Sequence, residues 1–215
     1  MSGSPSDPWT TASLVVIDLE GTGAQDRDDE AILEIALVPL VAGLPDMPTS
    51  YTTLINPGRP IAARPWLSPG LTDATLRHAP ALADIEPHLA DRINARYLVG
   101  HNVSVDWRLL HRQLPALRPA GLIDTLRLAK ALTMGRSRAL TALIHELRLT
   151  GRVNAAAPGS QPHRALWDTT ATALLLPELV TRRWPTAPTL EELLAEAAFP
   201  LNPEKQPTAR QPALF

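Results

Sequence analysis

Cysteine is absent from this chain, lysine occurs only as Lys130 and Lys205, and phenylalanine only as Phe199 and Phe215. The missing thiols exclude disulfides, thiol catalysis and cysteine-ligated zinc, so any metal must sit on oxygen or imidazole ligands. Long apolar runs are also missing; the longest stretches are broken by Pro, Asp or Arg, which argues against a membrane span. Met1 to Thr11 is polar, with Pro and Ser and no charged-then-apolar pattern, so a cytoplasmic protein is expected. The formal net charge of −2 argues against a protein that coats nucleic acid by bulk electrostatics. It leaves room for a local grip on a few phosphates, for which Arg is suited. The preference for Arg over Lys is read first as a G+C-rich coding bias.

What remains describes a globular chain. Its 215 residues are 45% hydrophobic and 20% charged, enough for one domain of usual size or one domain plus a tail. Ser13 to Ile17 is a β-branched run that ends in Asp18-Leu19-Glu20-Gly21-Thr22-Gly23, a strand entering a Gly-rich turn. Ala31 to Val41 and Ser50 to Ile55 read as the next two strands, with Pro39 suggesting an edge position or a bulge. From Thr72 the period lengthens: Leu82, Ile85, Leu89 and Ile93 predict a helix over about Ala81 to Ala95. Tyr97 to Gly100 and Gly121 to Ile123 are short strands. Helices are predicted over Val103 to Leu114, Thr125 to Thr133, Ala139 to Leu149 and Ala165 to Arg182, with a loop over Thr150 to Pro162. Beyond a weak helix (Leu190 to Ala198) the chain is rich in Pro and polar residues. The expected division is a disordered N-terminus over 1–12, an α/β domain with a mixed sheet over 13–184, and a tail over 185–215.

The acids fall at the ends of these elements. Asp18 and Glu20 stand two apart on a strand, so they share a face, and two neighbouring carboxylates repel unless a cation lies between them. Alone, the pair equally describes a solvated strand end. Asp106 follows Gly100-His101-Asn102 early in a helix, where it could simply favour the helix dipole. Asp168 lies in the first turns of an apolar helix, five residues after His163, and each could be an ordinary surface group. Together they are four carboxylates and one imidazole at element ends, where α/β domains place their sites.

These segments resemble the DEDD superfamily of exonucleases, in particular its DnaQ-like group of proofreading subunits. Asp18-Leu19-Glu20-Gly21-Thr22-Gly23 looks like the first motif, and Gly100-His101-Asn102-Val103-Ser104-Val105-Asp106 is similar to the second, with Val105 in place of the usual Phe. His163-Arg164-Ala165-Leu166-Trp167-Asp168 matches the histidine form of the third. Asn56-Pro57-Gly58, Gly70-Leu71-Thr72 and Ala79-Pro80 fall where the family places turns, so the likeness runs from about Leu14 to Arg182.

The resemblance implies a ribonuclease H-like fold, a mixed five-stranded sheet flanked by helices. It implies that Asp18, Glu20, Asp106 and Asp168 bind two Mg²⁺ or Mn²⁺ ions, with His163 as general base. The expected activity is 3′→5′ removal of nucleoside 5′-monophosphates from single-stranded DNA ends in proofreading or repair. Thr22, Gly23, His101 and Asn102 are candidate substrate contacts; Asp124 and Thr125 match a lesser signature read as structural. Arg136, Arg138 and Arg164 are candidate phosphate contacts. Gln211-Pro212-Ala213-Leu214-Phe215 resembles a bacterial sliding-clamp-binding peptide, with Gln211, Leu214 and Phe215 as its anchors. The tail equally describes a chance match to a degenerate five-residue pattern; a sliding clamp is the candidate partner through it, and a DNA polymerase is a candidate partner from the family resemblance. The alternatives are an RNA-trimming or oligonucleotide exonuclease of the same fold, and a non-catalytic adaptor, which the five retained catalytic positions disfavour.

Overall fold

The computed structural model describes residues 4–23, 29–65, 67–132 and 137–201. At its centre is β1 (Leu14–Gly21), whose Leu14-Val15-Val16-Ile17 run is buried throughout because both faces of the sheet are covered. Strand β2 (Ile32–Val41) pairs with it antiparallel. The outer edge of β2 carries β3 (Leu44–Pro45) and β4 (Tyr51–Leu54), both antiparallel. Pro39 lies between their pairing registers, and its carbonyl accepts the Asp46 N–H at 2.9 Å on that side, so its missing N–H interrupts no ladder bond. On the other side of β1 run β5 (Tyr97–Gly100) and β6 (Gly121–Asp124), parallel to it. Strand β7 (Ala198–Phe199) closes this edge antiparallel to β6. The described sheet thus has seven strands.

Helices cover both faces. The short α1 (Asp73–Leu76) follows the loop after β4. One core layer joins α2 (Leu82–Ile93) and α3 (Val103–Gln113) to Val15, Ile17, Ile35, Leu37 and Leu98. The opposite layer joins α4 (Thr125–Ala131), α5 (Leu140–Glu146), α6 (Thr150–Ala156), α7 (Ala165–Arg183) and α8 (Leu190–Ala197) to Val16, Val38, Val99 and Ile123. Val15 and Val16 point into different cores because strand side chains alternate. Helix α7 is the spine of the second layer, and its Ala-, Thr- and Leu-rich stretch is buried along most of its length.

Two expectations are corrected. Two short strands, β3 and β7, extend the sheet beyond the five expected. Part of the loop expected over Thr150 to Pro162 is helix α6, whose Val153 is buried against the core. Trp9, in a 3₁₀ turn over Trp9–Thr11, is buried, and its backbone N–H reaches the Pro188 carbonyl at 3.1 Å. Leu190 and Leu193 of α8 lie in the same core, and Thr189 and Glu192 form a capping box at its start. A single indole removes enough apolar area from water to anchor a polar segment, yet leaves no periodic signal. The chain remains docked to Leu201, whose carbonyl accepts the Trp107 indole N–H at 2.7 Å.

Candidate functional site

The carboxylates predicted from the sequence converge at one end of the sheet. Asp18 and Glu20 project from the same face of β1, and Asp168 arrives from the first turn of α7. One oxygen from each of these three lies within 4.8 Å of the others. Asp106, in the first turn of α3, is bound to the strand between them: its Oδ1 accepts the Leu19 N–H at 3.0 Å.

Burial first, and neighbouring charge second, raises these four carboxyl groups. Burial, then the charges of Asp106, Asp168 and Glu20, holds Asp18 well above the usual carboxylate range. Burial pushes Glu20 up to about 8, against the lowering effect of the Ser68 hydroxyl that donates to its Oε2. Asp106 is raised to about 7 by burial, against the hydrogen bond from Leu19. Asp168 is raised to about 6 by burial, offset by the neighbouring His163. Asp168 Oδ1 is buried without a hydrogen-bond partner, while its Oδ2 accepts the His163 N–H at 3.2 Å. Mutually repelling carboxylates and an orphaned oxygen form an all-oxygen donor set that fits a hard divalent cation.

His163 occupies an exposed turn before α7 in the left-handed region, with φ 65°, so only its backbone is tied to Asp168 by a hydrogen bond. The next residue, a candidate phosphate contact, is paired within the fold. Arg164 donates Nε and Nη2, each at 2.8 Å, to the two oxygens of Glu34, which is itself buried in β2. Glu34 also accepts the Ala165 N–H at 3.3 Å. Neither Glu34 nor Ser68 was legible as a site residue. An acid inside the apolar run Ala31 to Val41 was the available signal for Glu34; Ser68 offered none.

The candidate substrate contacts divide. The Thr22 side chain is buried, and its hydroxyl accepts the Ala31 N–H at 3.0 Å, closing the end of the β1–β2 ladder. The His101 ring is engaged at both nitrogens: Nε2 with the Arg138 carbonyl at 2.8 Å, Nδ1 with the Thr125 hydroxyl at 2.9 Å. A carbonyl can only accept, so Nε2 carries the proton, and burial lowers the ring's pKa and favours the neutral form. His101 therefore joins β5, α4 and the segment at Arg138. Asn102 is exposed with φ 70°, and Gly23 is half-buried with φ 95°. Asp124 Oδ1 accepts the N–H groups of both Leu126 (2.8 Å) and Asn102 (2.9 Å), so one side chain caps α4 and fixes the turn that leads to Asp106. Val105, beside Asp106, is half-exposed. Arg136, Gln211, Leu214 and Phe215 lie outside the described residues.

Comparison with known proteins matches this geometry to a class. The exonuclease family model RNase_T matches residues 15–176. The chain belongs to this exonuclease family, and its fold is the ribonuclease H-like fold of DEDDh nucleases. Exodeoxyribonuclease 10 of Escherichia coli K12 is 32% identical over 172 residues, covering 80% of this chain and 70% of its own. A DNA polymerase III subunit epsilon-like protein of Rhodobacter capsulatus is 33% identical over 184 residues, 81% of this chain. The chain spans only 25% of that relative's length. Among solved structures, exonuclease X in complex with 5′ overhanging duplex DNA superimposes with a TM-score of 0.65 at 31% identity, covering 84% of this chain and 98% of its own. The nuclease domain of a DEDDh family member bound to rAMP shares the fold at 16% identity, with a TM-score of 0.61 over 79% of this chain and 92% of its own. No described helix is long and apolar enough to cross a membrane.

Proposed function

We propose that this protein is a metal-dependent 3′→5′ exonuclease that removes nucleoside 5′-monophosphates from single-stranded DNA ends. The observation that carries the reading is the gathering of Asp18, Glu20 and Asp168 within 4.8 Å, with Asp106 bonded to the strand between them. Asp18, Glu20, Asp106 and Asp168 would hold two Mg²⁺ or Mn²⁺ ions. When bound, such ions supply activation of a water and charge stabilisation of the leaving 3′-oxygen.

The chain's own residues do the rest. His163, on an exposed turn beside Asp168, takes the proton of the attacking water. Water oxygen bonds to phosphorus, the bond from phosphorus to the 3′-oxygen breaks, and the 3′-oxygen takes a proton from solvent, so the shortened strand leaves with a 3′-hydroxyl. Gly23 and Asn102 are the proposed contacts to the terminal nucleotide. Thr22 and His101 support these contacts through the bonds described above.

DNA is preferred as substrate because relatives at 31–32% identity are named as an exodeoxyribonuclease and as an exonuclease in complex with DNA. The sequence Gln211 to Phe215 is proposed to dock on a sliding clamp, and relatives named as DNA polymerase III subunits make a polymerase a second proposed partner.

The test is a 5′-labelled DNA strand and a matched RNA strand, incubated with Mg²⁺, Mn²⁺ or a chelator. The reading expects a ladder that shortens from the 3′ end, requires metal and runs faster on DNA. Faster trimming of RNA would replace the substrate assignment, and intact strands in every metal would remove the enzyme assignment.

A further inference from the structure

The loop between β4 and α2 carries a feature that none of the catalytic motifs uses. Residues 56–80 contain Arg59, Arg64 and Arg77 but only one acid, Asp73, in a chain whose net charge is −2. Asp73 Oδ1 accepts the Ile61 N–H at 2.8 Å, and Arg59 Nη2 donates to the Asp29 carbonyl. Two clefts lie along this loop, one of about 540 Å³ with Arg64 and Arg77 in its wall, the other of about 360 Å³ with Arg59 and Arg77. Arg77 and Asp73 belong to both, so the clefts adjoin in a single groove. All three arginines are exposed.

The groove opens onto the carboxylate cluster. Its wall includes Ser68, whose hydroxyl donates to Glu20, and Gly70, where an added Cβ would stand 3.8 Å from Arg164 Nη1. The near end of the groove is therefore tied to Glu20 of β1 through Ser68 on one side and lies beside the Arg164 guanidinium on the other.

We propose that this groove binds the sugar–phosphate backbone of the substrate strand on the 5′ side of the scissile bond, with Arg64 and Arg77 as its principal phosphate contacts and Arg59 at its far end. The inference rests on the exonuclease reading. A strand whose last phosphodiester lies over Asp18 and Glu20 must continue away from them, and in this loop the route is lined by guanidinium groups. Guanidinium suits the task because it pairs with phosphate oxygens through a planar fork and stays charged at any working pH. Contacts of this kind carry no base sequence, as befits an enzyme that must accept whatever end it meets.

The test measures the binding of a long fluorescent single strand and of a dinucleotide, in chelator so that nothing is hydrolysed, for wild type, Arg64→Ala/Arg77→Ala and the charge-preserving Arg64→Lys/Arg77→Lys. The alanine pair is expected to weaken the long strand by about ten-fold at low salt. It should also flatten the slope of log affinity against log salt by roughly 0.7 for each phosphate that is no longer neutralised. The dinucleotide should bind unchanged, and the lysine pair should retain most of the salt slope. Equal weakening of the dinucleotide, or an unchanged long strand, would overturn the proposal. Because the readout is binding, an inactive wild type would refute the exonuclease reading without being mistaken for failure of the groove.

Discussion

Arg164 grips Glu34 with Nε and Nη2, each at 2.8 Å, and Glu34 stands opposite Glu20 in the register of β2 against β1. The guanidinium therefore neutralises an additional buried acid behind the carboxylate cluster and anchors the turn that presents His163. Removing one partner of such a pair leaves the other charge buried and uncompensated. Glu34→Gln or Arg164→Met is expected to cost about 2–4 kcal/mol of stability. The double variant should cost less than the sum of the singles, because neither charge is then stranded. Denaturant melts of all four proteins check this; strictly additive losses would mean that the pair does not act as a unit.

The raised carboxyl groups make a prediction about pH. Glu20 at about 8, Asp106 at about 7 and Asp168 at about 6 all lie above their unfolded values near 4. Between those limits the folded chain holds more protons than the unfolded chain, so metal-free stability falls as pH rises from about 4 to about 8. Mg²⁺ or Mn²⁺ should reverse the trend, with a larger rise in Tm at pH 8 than at pH 5. Thermal melts with and without metal across this range test it. A metal-free Tm that climbs from pH 5 to 8 would contradict the assignment.

Loading the same site should also expel protons, because the ligands bind metal only when ionised. Calorimetric titration with Mn²⁺ at neutral pH, repeated in buffers of different ionisation enthalpy, should show proton release. Asp168→Asn should both weaken binding and reduce that release. Metal binding without proton release would place the cation elsewhere.

His163 reaches Asp168 through its backbone N–H, so its ring can be removed without deleting that hydrogen bond. His163→Ala is expected to lower kcat by about 10²–10⁴-fold, the usual contribution of a positioned base, and to leave Mn²⁺ affinity nearly unchanged. Steady-state kinetics and a metal titration on one preparation would separate the two. Loss of metal affinity in parallel with kcat would make His163 part of the metal site instead.

The acids were legible in the sequence because local patterns place them: a strand end for Asp18 and Glu20, a helix start for Asp106 and Asp168. Glu34 was not, since its partner Arg164 lies 130 residues away and only the β1–β2 register brings it beside Glu20. The closing elements were equally hidden. Strand β7 has two residues, and Trp9 is one indole in a polar segment. Helix α6 begins with Thr150-Gly151, a pair more typical of turns. At His101 and Thr22 the motif positions suggest substrate contact, and what the sequence could not show is that their side-chain polar atoms are also engaged within the fold.

The most direct test of the central claim is the identity of the first product from a single-stranded DNA labelled on its 3′-terminal nucleotide, digested with Mn²⁺ by wild type and by Asp168→Asn. The account predicts that the label leaves at once as a nucleoside 5′-monophosphate and that the variant releases almost none. Labelled oligonucleotides of mixed length, or equal release by the variant, would contradict it.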